Sequence, residues 1–313
     1  MPVLSIIACK MLEDEIVHLL SSDRGVRELL LVDARESMSL SGKLKAQNRP
    51  HTLLAPEIIK GHIKETKSRQ RGIFSLWSDR SPKAADLVVV VSMLRLGLHS
   101  NLEHLKAAVY DDIKSLSEFS DGILIFYGKC GNSLADLEHD LAGLSCPLYF
   151  LTDERCERID DCIAVALGGN EHYDRALTEH QDVALFMTPM WTSNWNAMCQ
   201  EDALSGKSLD LGAMLKGTAM KKVARIDTGL SFEKGFYEKV DGFAKEFGLE
   251  TIDLSGTVAV AEKSYERAKR SLLVAKSRSA PSCRGISGSE SRGCMEQMFA
   301  LCRRTWNRLL GYE

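Results

Sequence analysis

The chain has 313 residues, of which 44% are hydrophobic and 27% charged, and its formal net charge is −3. This composition is close to the average for soluble globular proteins and supplies enough apolar residues for one or two cores. The small net charge gives no support to a nucleic-acid-binding protein. No apolar run approaches the roughly 18 residues that cross a membrane, so no membrane span is predicted.

Nine cysteines accompany an N-terminal segment, MPVLSIIACKMLEDE, that lacks the basic start of a secretory signal peptide. We therefore expect a cytoplasmic, reducing location, where cysteines are free, catalytic or metal-binding rather than disulfide-bonded. No two cysteines have the Cys-x-x-Cys spacing of zinc ribbons. Any metal site must therefore be assembled from cysteines that are distant in sequence.

Short apolar segments alternate with helical patterns along most of the chain. Helices are predicted at 11–22, 101–119 and 235–248, from apolar residues at helical spacing. Strands are predicted at 3–9, 28–34, 85–94, 122–128, 147–151, 183–189, 222–229 and 250–256. This alternation is typical of βαβ units and predicts an α/β fold with two Rossmann-like lobes and largely parallel sheets.

Two changes in composition indicate domain boundaries. The break FSDG at 119–122 predicts an N-terminal lobe at 1–119 and a C-terminal lobe at 120–276. The Ser-, Gly- and Arg-rich segment that follows predicts a flexible linker, so 277–313 is interpreted as a tail. Its last part, 294–310, has an apolar helical stripe beside three arginines. We expect this helix to dock on a partner.

Three cysteines lie where predicted strands end or helices begin. Cys9 ends the first strand, Cys130 follows the strand at 122–128, and Cys162 lies in the first turn of a helix. In open parallel sheets, ligands bind outside the carboxyl ends of the strands. We therefore predict that these three cysteines share one site at the cleft between the lobes.

The local structure is expected to favour thiolates at these positions. A helix N-terminus, capped by Asp160 or Asp161, carries partial positive charge and lowers the pKa of a thiol such as Cys162. The same reasoning predicts a lowered pKa for Cys9 and Cys130. The alternative is that each cysteine is simply a small buried apolar residue.

Neighbouring residues indicate how a cofactor would fit. Gly128 and Gly131 flank Cys130 and are predicted to allow a tight turn and the close approach of a bulky cofactor. Trp191 and Trp195 are four residues apart, so on a helix they share one face. Trp191 is predicted to cover a cofactor, and core packing of the pair is the alternative.

Two further residues, Cys156 and His172, are candidate metal ligands. Cys156, in a charged loop, is close enough in sequence to Cys162 to serve as a fourth ligand, and His172 is a candidate ligand or proton donor. The alternative for His172 is a solvated surface residue. Cys146 precedes its predicted strand and therefore belongs to the opposite edge of the sheet. No P-loop or GxGxxG sequence supports nucleotide binding.

The segments IAC, YGKCGN and DDCIAVALGG, with MTPMW beyond them, resemble the bacterial and archaeal family of unknown function numbered 1638. The resemblance covers roughly residues 3–270, and the family's three cysteine motifs match Cys9, Cys130 and Cys162. It implies a three-thiolate site. Members are encountered alongside corrinoid-dependent methyltransferase systems of anaerobes, so a corrinoid protein or a methyltransferase is the partner that the resemblance implies.

Three functions remain open. The leading hypothesis is an iron–sulfur cluster, or a single metal such as zinc, bound by the three cysteines, with a redox or accessory role in corrinoid, methyl-transfer or cofactor metabolism. The second is a metal-free enzyme with Cys130 as nucleophile, activated by Lys129 or by a helix dipole. The third is a binding module for a small organic ligand.

Overall fold

The computed structural model describes residues 1–74, 87–96, 98, 101–195, 218–230 and 232–277. The predicted linker and the C-terminal helix at 294–310 therefore lie outside the described residues. Within the described residues, no helix combines the length and the apolar character needed to cross a membrane.

The secondary structure follows the predicted alternation of strands and helices. The strands are β1 (Val3–Cys9), β2 (Val26–Val32), β3 (Thr52–Leu54), β4 (Leu87–Leu94), β5 (Gly122–Phe126), β6 (Leu148–Phe150), β7 (Val183–Met187), β8 (Lys222–Asp227) and β9 (Glu250–Ser255). The helices are α1 (Glu13–Ser22), α2 (Ser37–Ala46), α3 (Pro56–Phe74), α4 (Leu102–Ser117), α5 (Leu137–Asp140), α6 (Cys162–Leu167), α7 (Asn170–Glu179), α8 (Phe236–Phe247) and α9 (Ala259–Ser277). A further helical segment runs from 189 to 195.

The first six strands form one parallel sheet in the order β3-β2-β4-β1-β5-β6. All seven residues of β1 are buried, and β4 is buried over all but its last residue. Strands covered on both faces read as continuous apolar runs, which is why VLSIIAC and LVVVVSML occupy the middle of the sheet. The predicted α/β fold with largely parallel strands is confirmed.

The predicted boundary at residues 119–120 falls inside this sheet. β5 lies beyond that boundary, yet it pairs with β1, with Leu4 opposite Gly122 and Ala8 opposite Phe126. The remaining strands form a second parallel sheet, β7-β8-β9. Helix α9 then returns to the first sheet and packs against β5 and β6. A composition break cannot show which strands pair, because pairing joins segments more than 100 residues apart.

The cores do not separate along the predicted boundary either. The main core extends from the first sheet to Phe186 and Ile226 in the second. A smaller cluster between the second sheet and α8 contains Met187, Val223, Phe236, Val240, Phe243 and Ala244. Segment 120–276 therefore contributes to the first sheet as well as to the second.

The strand order places a crevice at the carboxyl ends of β1 and β5. These neighbouring strands are parallel. The chain leaves β1 toward β2 on one side of the sheet and leaves β5 toward β6 on the other. Adjacent strands whose connections diverge form a topological switch point, where open α/β sheets bind ligands.

Candidate functional site

Two of the three predicted cysteines lie at this switch point. Cys9 is the last residue of β1 and is buried. Its neighbour Ala8 pairs with Phe126, the last residue of β5, and the chain continues through Tyr127 toward Cys130. Parallel pairing of the two strands thus brings both cysteines to one edge of the sheet.

The turn that carries Cys130 has an unusual backbone. Cys130, Gly131 and Asn132 have φ angles of 46°, 66° and 67°, all in the left-handed region. This conformation costs a residue other than glycine about 1–2 kcal/mol. The backbone N–H of Leu134 donates to the carbonyl of Lys129 at 3.2 Å and closes the turn. Backbone strain of this kind is concentrated at functional sites.

Backbone hydrogen bonds join the Cys130 turn to the segment that leads to Cys162. The N–H of Cys130 donates to the carbonyl of Asp160, and the N–H of Lys129 donates to that of Ile159, both at 2.8 Å. Lys129 also forms an ion pair with Asp160 at 2.5 Å. These bonds bring the start of α6, where Cys162 is the first residue, to the same crevice.

Gly128 permits this arrangement. A Cβ atom on Gly128 would lie 2.6 Å from the Cα of Asp161 and 2.7 Å from the carbonyl carbon and oxygen of Asp160. The space beside Gly128 is therefore filled by the backbone of Asp160 and Asp161. The prediction that Gly128 makes room for a cofactor is wrong. The role of Gly128 is to let the two cysteine-bearing segments approach each other.

Asp161 caps helix α6. Its carboxylate accepts hydrogen bonds from the N–H groups of Ile163 and Ala164 at 2.8 and 2.9 Å. Burial raises the pKa of Asp161 to about 6 despite these bonds. The cap fixes the position of Cys162, and Asp161 is the residue that provides it, because the side chain of Asp160 is engaged with Lys129.

A buried asparagine that the sequence did not single out holds the same segment from the other side. The Asn170 carboxamide accepts from the N–H of Asp160 at 2.9 Å and donates to the carbonyl of Arg158 at 3.0 Å. Arg158 in turn donates to the carbonyls of Leu134 and Ala135 beyond the Cys130 turn. Segment 158–160 is thus bonded both to Asn170, beyond Cys162, and to Leu134 and Ala135, beyond Cys130.

The three thiols interact with one another. Burial, and then the neighbouring Cys9, hold the pKa of Cys130 well above its ordinary value. Burial, Asp161 and the other two cysteines do the same to Cys162. Burial raises the pKa of Cys9 to about 12. The prediction of lowered thiol pKa values is therefore wrong, because desolvation outweighs the helix N-terminus and the backbone hydrogen bonds.

Two aromatic side chains lie beside sulfurs of the site. The Tyr127 side chain lowers the pKa of Cys9, and the Trp191 side chain lowers the pKa of Cys162. Trp191 therefore lies beside one of the predicted ligands. Trp195 instead packs edge-on against Phe243, with ring centroids 5.0 Å apart. The two tryptophans have different roles, although helical spacing places them on one face.

The other candidate ligands lie in different surroundings. Cys156 is exposed, in a loop where its N–H donates to the carbonyl of Asp153. His172 is an exposed residue of α7. Cys146 is buried beyond the opposite end of the sheet, just before β6, and burial raises the pKa of its thiol to about 11. These positions agree with the surface interpretation of His172 and with the exclusion of Cys146.

A cluster of buried charges adjoins the thiols. Glu13, Asp14 and Glu233 hold carboxylate oxygens within 4.8 Å of one another. The Lys43 ammonium lies among them, 3.0 Å from Glu13 and 2.7 Å from Asp14, and also contacts Glu233. Lys10, directly after Cys9, pairs with Glu13. The sequence showed only three consecutive acidic residues at a helix start, which normally signals an exposed first turn.

Glu15, the third of these acidic residues, has a different environment. It is 3% exposed, and its Oε2 atom has no hydrogen-bond partner among the described residues. Burial raises the pKa of Glu15 to about 8, and this carboxyl in turn raises the pKa of Cys9.

The metal-free protein is expected to lose stability as the pH rises from about 4.5 to about 8, because of Glu15. In this window the unfolded chain releases the Glu15 proton while the folded chain retains it, so the folded state binds more protons and stability falls with pH. Urea unfolding across this range measures the slope. Glu15→Gln should flatten it, whereas Glu57→Gln, at an exposed position, should leave it unchanged. Equal slopes in both variants would contradict the assignment.

A protein-family model matches the region that contains the cysteine turn and all three strands of the second sheet. The family described as Protein of unknown function (DUF1638) matches residues 93–265, which is more than half of the chain. The chain belongs to this family. The match includes Cys130, Cys162 and Trp191, whereas Cys9 precedes it. The resemblance inferred from the cysteine motifs is thus confirmed for the family. No curated protein and no solved structure matches the chain.

Proposed function

We propose that this DUF1638 protein binds an iron–sulfur cluster through Cys9, Cys130 and Cys162 and serves a redox or accessory role. The observation that carries the proposal is the convergence of one buried thiol, Cys9, and two half-buried thiols, Cys130 and Cys162, from distant segments at the topological switch point. Cys9 raises the pKa of Cys130, and Cys9 and Cys130 both raise the pKa of Cys162. Mutual influence of this kind requires that the three lie close together in a medium of low dielectric constant.

The charge balance of the site favours a metal. The three thiols and the carboxyl groups of Glu15 and Asp161 are all acidic, and Arg158 is a cation that lowers the pKa of Cys130. Without a metal the thiols are protonated at neutral pH. A metal ion or cluster displaces those protons and compensates the negative charge, which is the usual coupling between thiolate ligation and protonation.

The spacing of the sulfurs favours a cluster over one zinc ion. Three sulfurs bonded to one zinc at about 2.3 Å lie about 3.8 Å from one another. Among the described residues, Glu13, Asp14 and Glu233 form the one set of three ligands within 4.8 Å of one another, so at least two of the three sulfurs lie farther apart than that. A wider triangle suits a polynuclear centre. A cluster held by three thiolates has one position left for another ligand.

The nucleophile hypothesis receives less support. A reactive cysteine needs a thiolate and access to solvent. Cys130 has a strongly raised pKa, and Lys129, its predicted activator, is engaged with Asp160. A metal-free thiol enzyme would therefore begin from a neutral thiol without its predicted activator.

The redox or accessory role, with a corrinoid protein or methyltransferase as partner, rests on the family resemblance. A cluster at the crevice would supply one-electron chemistry there. The residues of this chain would hold the cluster through the three cysteines, with Tyr127 beside Cys9 and Trp191 beside Cys162.

The test is the iron and acid-labile sulfide content of protein purified without oxygen, with an absorption spectrum. Cys9→Ser, Cys130→Ser and Cys162→Ser should each lower the affinity for the cluster at least about tenfold, because each removes a ligand. Cys146→Ser and Cys156→Ser are matched controls and should retain full occupancy. Colourless wild-type protein after anaerobic reconstitution with iron and sulfide would contradict the proposal.

A further inference from the structure

The first turn of α1 places three consecutive carboxyl groups in the protein interior. Glu13, Asp14 and Glu15 are 0%, 2% and 3% exposed. Glu13 and Asp14 each contact the Lys43 ammonium. In the described part of the chain no basic side chain pairs with Glu15. Among the described residues, Glu15 is therefore the one of these three carboxyl groups that forms no ion pair with a lysine.

A buried carboxyl oxygen without a hydrogen bond requires an explanation. Desolvation penalises such a group, and proteins retain it where a ligand or ion supplies the missing partner. Glu15 Oε2 is such an atom; Glu13 Oε1 and Asp14 Oδ2 also lack a hydrogen bond, but their carboxyl groups form ion pairs with Lys43. Substitution by an apolar residue would remove the penalty, so the carboxyl has no evident structural purpose of its own.

The position of Glu15 indicates what the partner is. Helix α1 follows Cys9 after one short turn, Lys10–Leu12, so its first residues border the crevice. The Glu15 carboxyl acts electrostatically on the Cys9 thiol, which places it near that sulfur. Lys43 is already shared by three other carboxylates. Among the described residues, Glu15 therefore has a thiol within electrostatic reach and no ion pair with a cation.

We propose that Glu15 is the fourth protein ligand of the metal centre, with a carboxylate oxygen on the iron that the three cysteines leave incompletely coordinated. This inference rests on the proposed function. A carboxylate is a harder ligand than a thiolate and binds such iron less tightly. Glu15 would thus protect the iron at rest and yield its position to an incoming substrate or partner group.

Spectroscopy of the reconstituted protein tests this ligand directly. Glu15→Gln keeps the size of the side chain, so it should fold and retain iron and sulfide on the three cysteines. Its free iron position should bind added 2-mercaptoethanol at least about tenfold more tightly than the wild type, because the internal competitor is gone. The thiol titration is followed by absorption and electron paramagnetic resonance. Glu15→Cys should give the spectrum of four-thiolate ligation without added thiol.

Asp14→Asn is the matched control, since Asp14 is buried in the same turn but paired with Lys43. It should bind 2-mercaptoethanol as the wild type does. If loaded Glu15→Gln and the wild type have the same spectrum and the same affinity for the thiol, the ligand assignment is overturned while the cluster stands. If the wild type takes up no metal after reconstitution, both proposals are overturned. These two results are distinguished by iron content alone.

Discussion

Gly128→Ala is expected to destabilise the protein by about 3 kcal/mol, because the new methyl group would overlap backbone atoms. The nearest atoms are the Cα of Asp161 and the carbonyl group of Asp160, 2.6 and 2.7 Å from the added Cβ. Backbone atoms cannot rotate away as a side chain can, so the two segments must separate. That movement would break the hydrogen bond between Cys130 and Asp160 and displace Cys162 from the other thiols.

Urea unfolding measures this loss of stability, and iron content measures the loss of the site. Gly143→Ala is the control, since a Cβ there meets nothing within 4 Å. We expect the control to lie within about 0.5 kcal/mol of the wild type. A Gly128→Ala protein with normal stability and normal iron content would contradict the close approach of the two segments.

Lys43→Met is expected to cost about 3–5 kcal/mol, because it removes the cation shared by three buried or half-buried carboxylates. Burial alone would lower the pKa of Lys43, but Glu13 and Asp14 raise it well above its ordinary value, so the ammonium is charged at pH 7. The methionine side chain fills the volume but leaves Asp14 without its cation and Glu13 with Lys10 alone.

The cost should shrink as the pH is lowered from 7 to 5. Burial raises the pKa of Asp14, so this carboxyl takes up a proton readily once its cation is gone. Lys239→Met is the control, because Lys239 is exposed, bonds to the Ser193 hydroxyl and acts on Glu233 electrostatically, without a direct ion pair among the described residues. Urea unfolding at both pH values gives the comparison. Equal stability of Lys43→Met and the control at pH 7 would contradict a charge cluster at this position.

The Lys43 cluster and the thiol site are neighbours, so a Lys43 variant can lose metal without losing a metal ligand. Lys10 follows Cys9 directly and pairs with Glu13. Loss of metal in a Lys43 variant would therefore reflect displacement of β1 and α1, not loss of a ligand. Loss of metal with unchanged stability is expected only for the cysteine variants.

Local sequence patterns were sufficient for most strands and for helices α1, α4 and α8. VLSIIAC, LVVVV and GILIF are apolar enough to be strands in any context. The strand at 52–54 and helices α2, α3, α7 and α9 were among the elements missed. The strand is three residues long and largely uncovered, and SMSLSGKLKA combines three serines and a glycine, which favour other conformations. Leu40 and Leu44 are buried in the core, so packing holds this helix.

Local sequence patterns place Cys9, Cys130 and Cys162 after strands or at the start of a helix, because strand ends and caps are local features. The tertiary structure makes β1 and β5 neighbours, brings Glu15 near Cys9 and joins three carboxylates through Lys43. Strand order, burial and thiol pKa all depend on contacts between distant segments. The thiol pKa values are raised, not lowered as expected, because packing of those segments removes the thiols from water.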